Sequence, residues 1–321
     1  DHISGMGSST KHGEHGGVLI FCRHGEREDY IQRDAGGNWI PSTNRPWDPP
    51  LSASGHEQVR ELGRRVARRL REHGLKPVTA VYSSPLLRCC QTAAGTIVGL
   101  EEEGMAAGGS SSDGLKIRIE AGIVESLSEK WYRSWCLPGS DGTWGYCPPV
   151  ADKAPPASAW EVDVATINPN ANLPATELFL STSEMEGRLK ETCGEKVQSR
   201  SNVIDKEYTT SAISFKDAFC WGTFESRKMQ LARAEEVAKA LASRHSNETV
   251  LLLSHGSPVT HAFEVISGKD WTEHGVCGYT SFSAYPHETN EGRPVEWKEP
   301  LIVNDSTHVL DETSAEYKSG R

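Results

Sequence analysis

The chain has 321 residues, a formal net charge of −10 and 24% charged residues. That length allows one large domain or two small ones, and the acidic balance argues against a general binder of nucleic acid or of anionic membrane surfaces. No apolar run approaches the roughly 18 residues that a membrane-spanning helix needs.

Residues 1–16, rich in Gly, Ser and His, are expected to be a disordered lead-in. The first strand is predicted at 18–21, where "VLIF" runs straight into Arg23, His24, Gly25, Glu26 and Arg27. A helix is predicted over 55–73, with Val59, Leu62, Val66 and Leu70 on one face and Arg60, Arg64, Arg65, Arg68 and Arg69 on what reads as a solvated face. The second strand, at 80–82, ends in Ser83, Ser84 and Pro85, with Arg88 one helical turn on; a third falls at 117–119. Residues 126–222, rich in Trp, Pro, Gly and Ser, break this rhythm and are expected to be an insertion over the active-site edge, with a short helix near 176–192. A helix over 225–244, carrying Met229, Ala232, Val237, Ala240 and Leu241, leads into the fourth strand at 250–253, which ends in Ser254, His255, Gly256 and Ser257. The strand–helix alternation predicts an α/β fold with a mostly parallel sheet, in one domain over 17–310 followed by a polar tail at 311–321.

The 8 cysteines form no C-x-x-C pair, which argues against zinc. Several lie in apolar segments and read as small buried hydrophobes. Cys136 and Cys147 flank a Gly-rich loop and are placed for a disulfide, although the overall usage predicts reduced thiols and a cytoplasmic setting.

Three of the four apolar strands end in chemistry. The carboxyl ends of parallel strands share one edge, where ligands bind, so two imidazoles and at least two guanidiniums are expected in one crevice. Arg23 and Arg88 beside the histidines would repel a metal cation. A phosphoryl group suits all of them: guanidinium forks match its oxygens, helix N-termini after Gly25, Pro85 and Gly256 would aim N–H groups at it, and a neutral imidazole nitrogen can attack phosphorus. A cysteine phosphatase built on Cys22 is disfavoured, because Cys22 to Arg27 is C-x₄-R, one residue short of the C-x₅-R spacing.

The segments "CRHGERED", "LSASGHEQ", "YSSPLLRCCQTA", "IEAGIVES" and "LLLSHGSPV" resemble the first branch of the histidine phosphatase superfamily. The resemblance implies a three-layer αβα, phosphoglycerate mutase-like fold. It implies His24 as the phosphate-accepting nucleophile, Arg23, Arg88 and His255 as phosphate clamps, and Glu125 as proton donor to the leaving oxygen, with Ser257 a further substrate ligand. "RHGER" followed by acidic residues is similar to the phosphatase domain of the suppressor-of-T-cell-receptor-signalling (Sts) proteins, which implies a supporting role for Arg27 and a homodimer. The expected activity is metal- and cofactor-independent hydrolysis of a phosphomonoester, in a phosphoprotein (phosphotyrosine) or a small molecule, with neither nucleic acid nor membrane as partner. The alternatives are a phosphoglycerate mutase or sugar bisphosphatase, or a catalytically weak phospho-ligand binder. Arg27 stands where the mutase motif has Ser, and the mutase F-x-G-W segment is missing near Trp47. His24 is expected to be neutral and His255 charged, with their environments pushing them in opposite directions. Trp131, Tyr132, Trp135 and Trp144 are expected either to pack within the insertion or to line the entrance.

Overall fold

The structure, a computed structural model, describes residues 16–37, 39, 43, 45, 47–107, 114–125, 179–209, 211–213, 225–290 and 292–309. The expectations for the lead-in, for Trp131, Tyr132, Trp135, Trp144, Cys136 and Cys147, and for the C-terminal tail lie outside the described residues.

Four parallel strands form the centre of one sheet in the order β3 (Ile117–Ile119), β2 (Val78–Ser83), β4 (Thr249–Ser254), β1 (Gly17–Arg23). Beyond β1 the sheet turns antiparallel: β5 (Phe282–Glu288) pairs with β1, and β6 (Glu296–Trp297) and β7 (Ile302–Asp305) pair with β5. Register brings the carboxyl ends level, with Arg23 beside Ser254 and Ser83 beside both Leu253 and Ile119.

Side chains alternate across this sheet, so each strand feeds two cores. From β1, Leu19 and Phe21 pack with Val237, Leu241 and Phe263 of helices α6 (Arg227–Arg244) and α7 (Gly256–Ser267). Val18, Ile20 and Cys22 face the other way, onto Leu62, Val66, Ala93 and Ile97 of α2 (Ala53–Glu72) and α3 (Leu87–Glu102). Helices on both faces of a largely parallel sheet make the three-layer α/β fold. A short α1 (Glu28–Asp34) follows the first strand's turn. Within the expected insertion, α4 (Thr182–Thr192) and α5 (Glu195–Gln198) join the α3 core through Met185, Leu189 and Val197. A capping box between Ser181 and Glu184 starts α4. Among the described residues no helix is long and apolar enough to cross a membrane.

The arginine-rich face of α2 is not merely solvated. Arg60 and Arg64 pair with Glu102 on α3, Arg71 with Glu103, and Arg65 and Arg69 with Asp305 at 3.0 and 3.2 Å. These bridges flank a close helix crossing. A Cβ on Gly99 would stand 2.2 Å from the Arg60 carbonyl oxygen and 2.9 Å from the Gly63 Cα, both backbone atoms that cannot swing aside. In an open helix Gly→Ala gains about 1 kcal/mol; here overpacking, which costs about 1–3 kcal/mol, opposes it. Gly99→Ala is therefore expected to lower the urea midpoint of unfolding at unchanged slope, by an amount corresponding to up to about 2 kcal/mol net.

Candidate active site

β1 delivers Arg23 to the sheet edge, and the chain then turns through His24, Gly25, Glu26 and Arg27. The His24 N–H donates to the Ser254 carbonyl at 2.9 Å, and its own carbonyl accepts from the Thr280 N–H at 3.2 Å, so two distant segments hold it. Gly25 lies against α2: a Cβ there would be 2.9 Å from Val59 Cγ1 and 3.1 Å from the Gly55 carbonyl oxygen. Its need for glycine is close approach, which ties the His-Gly pair to α2. The Gly25 N–H donates to Thr92 Oγ1 at 3.1 Å, and the Glu26 carboxylate accepts from Ser52 Oγ, the N-cap of α2, at 2.7 Å.

His24 Nδ1 lies 2.7 Å from the Gly25 carbonyl oxygen. A carbonyl can only accept, so Nδ1 carries the proton and Nε2 keeps its lone pair. His255 follows β4, with its ring centroid 5.2 Å from that of His24 and the planes at 66°. Its Nδ1 is 3.3 Å from Arg88 Nη2, which can only donate. The lone pair of neutral His255 therefore sits on Nδ1, and Nε2–H donates to Ser84 Oγ at 2.8 Å, with Cys89 Sγ 3.3 Å from the same nitrogen.

Three guanidiniums surround the two rings. Arg88, fully buried, approaches Asp48 Oδ1 at 3.9 Å and donates to the Trp47 carbonyl at 3.5 Å. Asp48 also caps α3 by accepting from the Leu87 N–H at 2.7 Å. Arg27 forks onto Asp29, with Nε to Oδ1 at 2.9 Å and Nη2 to Oδ2, and its Nη1 donates to the Tyr30 hydroxyl at 3.2 Å. Arg23 donates to the Cys277 carbonyl and lies 4.6 Å over the Tyr279 ring. Tyr279 precedes Thr280, a β-branched residue at φ +55°, an uncommon conformation that costs of order 1–3 kcal/mol and concentrates at functional sites.

Both histidines are pushed well below the ordinary imidazole value, first by burial and then by Arg88; Arg23 and Arg27 act on both, and His24 also acts on His255. This corrects the expectation of opposite shifts: the same three cations face both rings, so the shifts share a sign. Burial opposes the charge on Arg27, but Asp29, Tyr30 and Tyr279 together outweigh it and hold Arg27 above the ordinary guanidinium value. Burial pushes the Cys22 and Cys89 thiols well up, and Cys22 faces the α2–α3 core.

Glu125 is buried just past β3 and lies near enough to Cys277, whose carbonyl Arg23 holds, to act on that thiol electrostatically. Ser257 is placed differently: it lines a small cavity with Gly122, Arg233 and His261 between α6 and α7. The structure thus gathers Arg23, His24, Arg27, Arg88 and His255, with Glu125 beside Cys277 and Ser257 on the α6 side. Sequence reasoning missed Ser84 as the partner of His255, Asp48 and Asp29 as the carboxylates behind Arg88 and Arg27, and Glu120. Buried Glu120 accepts from the Gly122 N–H, Tyr208 Oη, Ser211 Oγ and the Ala212 N–H. Asp29, Ser84 and Glu120 lay in the quoted "CRHGERED", "YSSPLLRCCQTA" and "IEAGIVES" with no role assigned to them; Asp48 lay in no quoted segment. Among the described residues no cluster of three or more His, Cys, Asp or Glu could hold a metal ion.

Residues 19–103 match the model of the histidine phosphatase superfamily (branch 1). The chain is 33% identical over 138 residues to ubiquitin-associated and SH3 domain-containing protein B of Homo sapiens and 34% identical over 144 residues to protein A of Mus musculus, each match covering 37% of this chain. The chain spans about a fifth of the length of these relatives. Among solved structures it is similar to YhfR of Bacillus stearothermophilus, at 15% identity and a TM-score of 0.45, covering 91% of this chain and 98% of that one.

The lowered imidazoles make stability depend on pH. Below the ordinary value of 6.5 the unfolded chain binds protons that folded His24 and His255 refuse, so stability falls as pH drops through that window. The thermal midpoint is expected to decline from pH 7 to pH 5, and a His24→Gln/His255→Gln double variant, followed by calorimetry over the same range, to show a shallower decline.

Proposed function

We propose that this chain, a branch-1 member of the histidine phosphatase superfamily, is a metal-independent phosphomonoester hydrolase working through a phosphohistidine intermediate. The observation that carries this reading is the Nδ1 contact of His24 with its neighbouring carbonyl. It leaves a neutral imidazole with its Nε2 lone pair available, in a cage of three guanidiniums.

In the first step the Nε2 lone pair of His24 attacks phosphorus, an N–P bond forms, and the P–O ester bond breaks. The leaving oxygen takes a proton from Glu125. The Nδ1–H bond to Gly25 strengthens as positive charge develops on the ring, which assists the attack. In the second step water attacks the phosphoimidazole, Glu125 takes the water's proton, and the N–P bond breaks to free phosphate.

Arg23, Arg27 and Arg88 supply the fixed positive charge that a metal ion supplies elsewhere. They serve both steps without reorganising, because Asp29, the Trp47 carbonyl and the Cys277 carbonyl hold them from behind. A phosphate dianion among these groups offsets the field of the cations at His255. Its Nδ1 can then take up a proton and donate to a phosphate oxygen, while Nε2–H stays on Ser84; the charged His255 belongs to the substrate complex. The described cysteines Cys22, Cys89, Cys90, Cys193 and Cys277 are all free of disulfides, which supports a reducing, cytoplasmic setting. The substrate class proposed is a phosphoprotein or small phosphate ester.

Purified protein in EDTA, with no bisphosphoglycerate primer, is expected to turn over p-nitrophenyl phosphate steadily. Alkaline quench during turnover should trap an acid-labile, base-stable phosphoprotein. His24→Ala should abolish both signals, and Arg88→Ala should lower kcat by about 10²–10³-fold. Retained turnover in His24→Ala would overturn the nucleophile assignment, and a strict primer requirement would favour a mutase.

A further inference from the structure

We propose that Arg233, on α6 and far from the histidine cage in sequence, is a positioning residue that sets the proton-donating carboxyl of Glu125. The proposal rests on the reading of Glu125 as the general acid. It comes from how the segment leading to Glu125 is held. That segment is a single 3₁₀ turn, Ala121–Ile123, followed by Val124. Arg233 Nη1 donates to two of its carbonyls, those of Gly122 and Val124, both at 2.8 Å. The carbonyl between them, Ile123, accepts from Ser254 Oγ at 2.6 Å. Three successive carbonyls are therefore gripped from two directions, and the last belongs to the residue before Glu125.

The rest of the guanidinium is locked as well. Its Nε and Nη2 fork onto Glu225 at 2.8 and 2.6 Å, and both partners are buried. This arrangement is more specific than a core ion pair requires. An apolar pair of similar volume commonly serves stability as well as a buried ion pair does, and a lysine could neutralise Glu225. Neither presents a rigid fork that binds a carboxylate on one edge and two carbonyls on the other. Because Glu225 cancels its charge, Arg233 acts on the Glu125 segment through donor geometry. A displacement near 1 Å can cost about 10²-fold in rate, so slack in this turn is felt mainly where Glu125 must reach the leaving oxygen.

The leaving group separates this role from a general structural one. An alkyl phosphate departs as a poor alkoxide and needs the acid; 2,4-dinitrophenyl phosphate departs unaided. The comparison uses kcat/KM, which reports the steps through formation of the phosphoenzyme. Glu125→Gln is expected to lower kcat/KM for an alkyl phosphate by about 10²–10⁴-fold and for the dinitrophenyl ester by less than about tenfold. Arg233→Lys should follow the same pattern at smaller size, about 10–10²-fold against less than about threefold. The double variant Arg233→Met/Glu225→Met, which removes the buried charges together and so keeps the fold testable, should do likewise. Equal losses for both esters in the Arg233 variants, or no loss for either, would overturn the positioning role while Glu125→Gln still discriminates. Equal losses in Glu125→Gln itself would instead overturn Glu125 as the acid.

Discussion

The site depends on how like charges are buried together. Three guanidiniums and two imidazoles share the carboxyl edge of β1, β2 and β4, and bringing such cations out of water carries a large penalty unless each is paired. Each arginine has its partner on the protein side: Asp29 for Arg27, the Trp47 carbonyl and nearby Asp48 for Arg88, the Cys277 carbonyl and the Tyr279 ring for Arg23. The imidazoles meet the remaining cost by staying neutral. Their neutrality is thus a consequence of the same field that makes the crevice suited to an anion. The proposed affinity for phosphate and the proposed nucleophilicity of His24 share one electrostatic cause.

The sheet makes this crowding possible. Parallel register sets Arg23 beside Ser254 and Ser83 beside Leu253, so the residues that follow each strand enter one layer without long side chains reaching across. Close packing then removes slack. Gly25 lets the first turn lie on α2, and Gly99 lets α3, which carries Arg88, lie on α2 as well. One helix therefore acts as a common reference for His24 and Arg88. The ion pairs from Arg60, Arg64 and Arg71 to the end of α3 reinforce that crossing from the solvent side, where individual bridges contribute little but a connected set resists sliding.

The parts of this arrangement legible in the sequence were those written locally. Apolar runs ending in His-Gly mark β1 and β4, and heptad-like spacing marks α2. β5 escaped notice because Ser283, Pro286 and His287 interrupt its apolar pattern, and because nothing in composition distinguishes an antiparallel neighbour of β1 from a parallel one. Glu120 escaped because its partners, Tyr208, Ser211 and Ala212, lie about ninety residues away. The charge state of His255 was misread for a related reason. Its role as a clamp argued for a cation, but the number of guanidiniums facing it is set by tertiary convergence of three segments.

β4 shows how the two halves of the proposed chemistry are kept in register. Ser254 turns down to the Ile123 carbonyl, and His255, the next residue, turns toward His24. A period of two therefore couples the imidazole to the turn that carries Glu125 within one dipeptide. The same strand end also accepts the His24 N–H through the Ser254 carbonyl. Shifting β4 by one residue would put the serine where the imidazole belongs and release both the His24 backbone and the turn that carries Glu125. The continuous apolar run of β4 alone would tolerate that slip, since every side chain of the strand is buried. The polar pair at its end is what makes the register costly to lose, so the residues proposed to serve the reaction also specify the pairing on which the sheet is built.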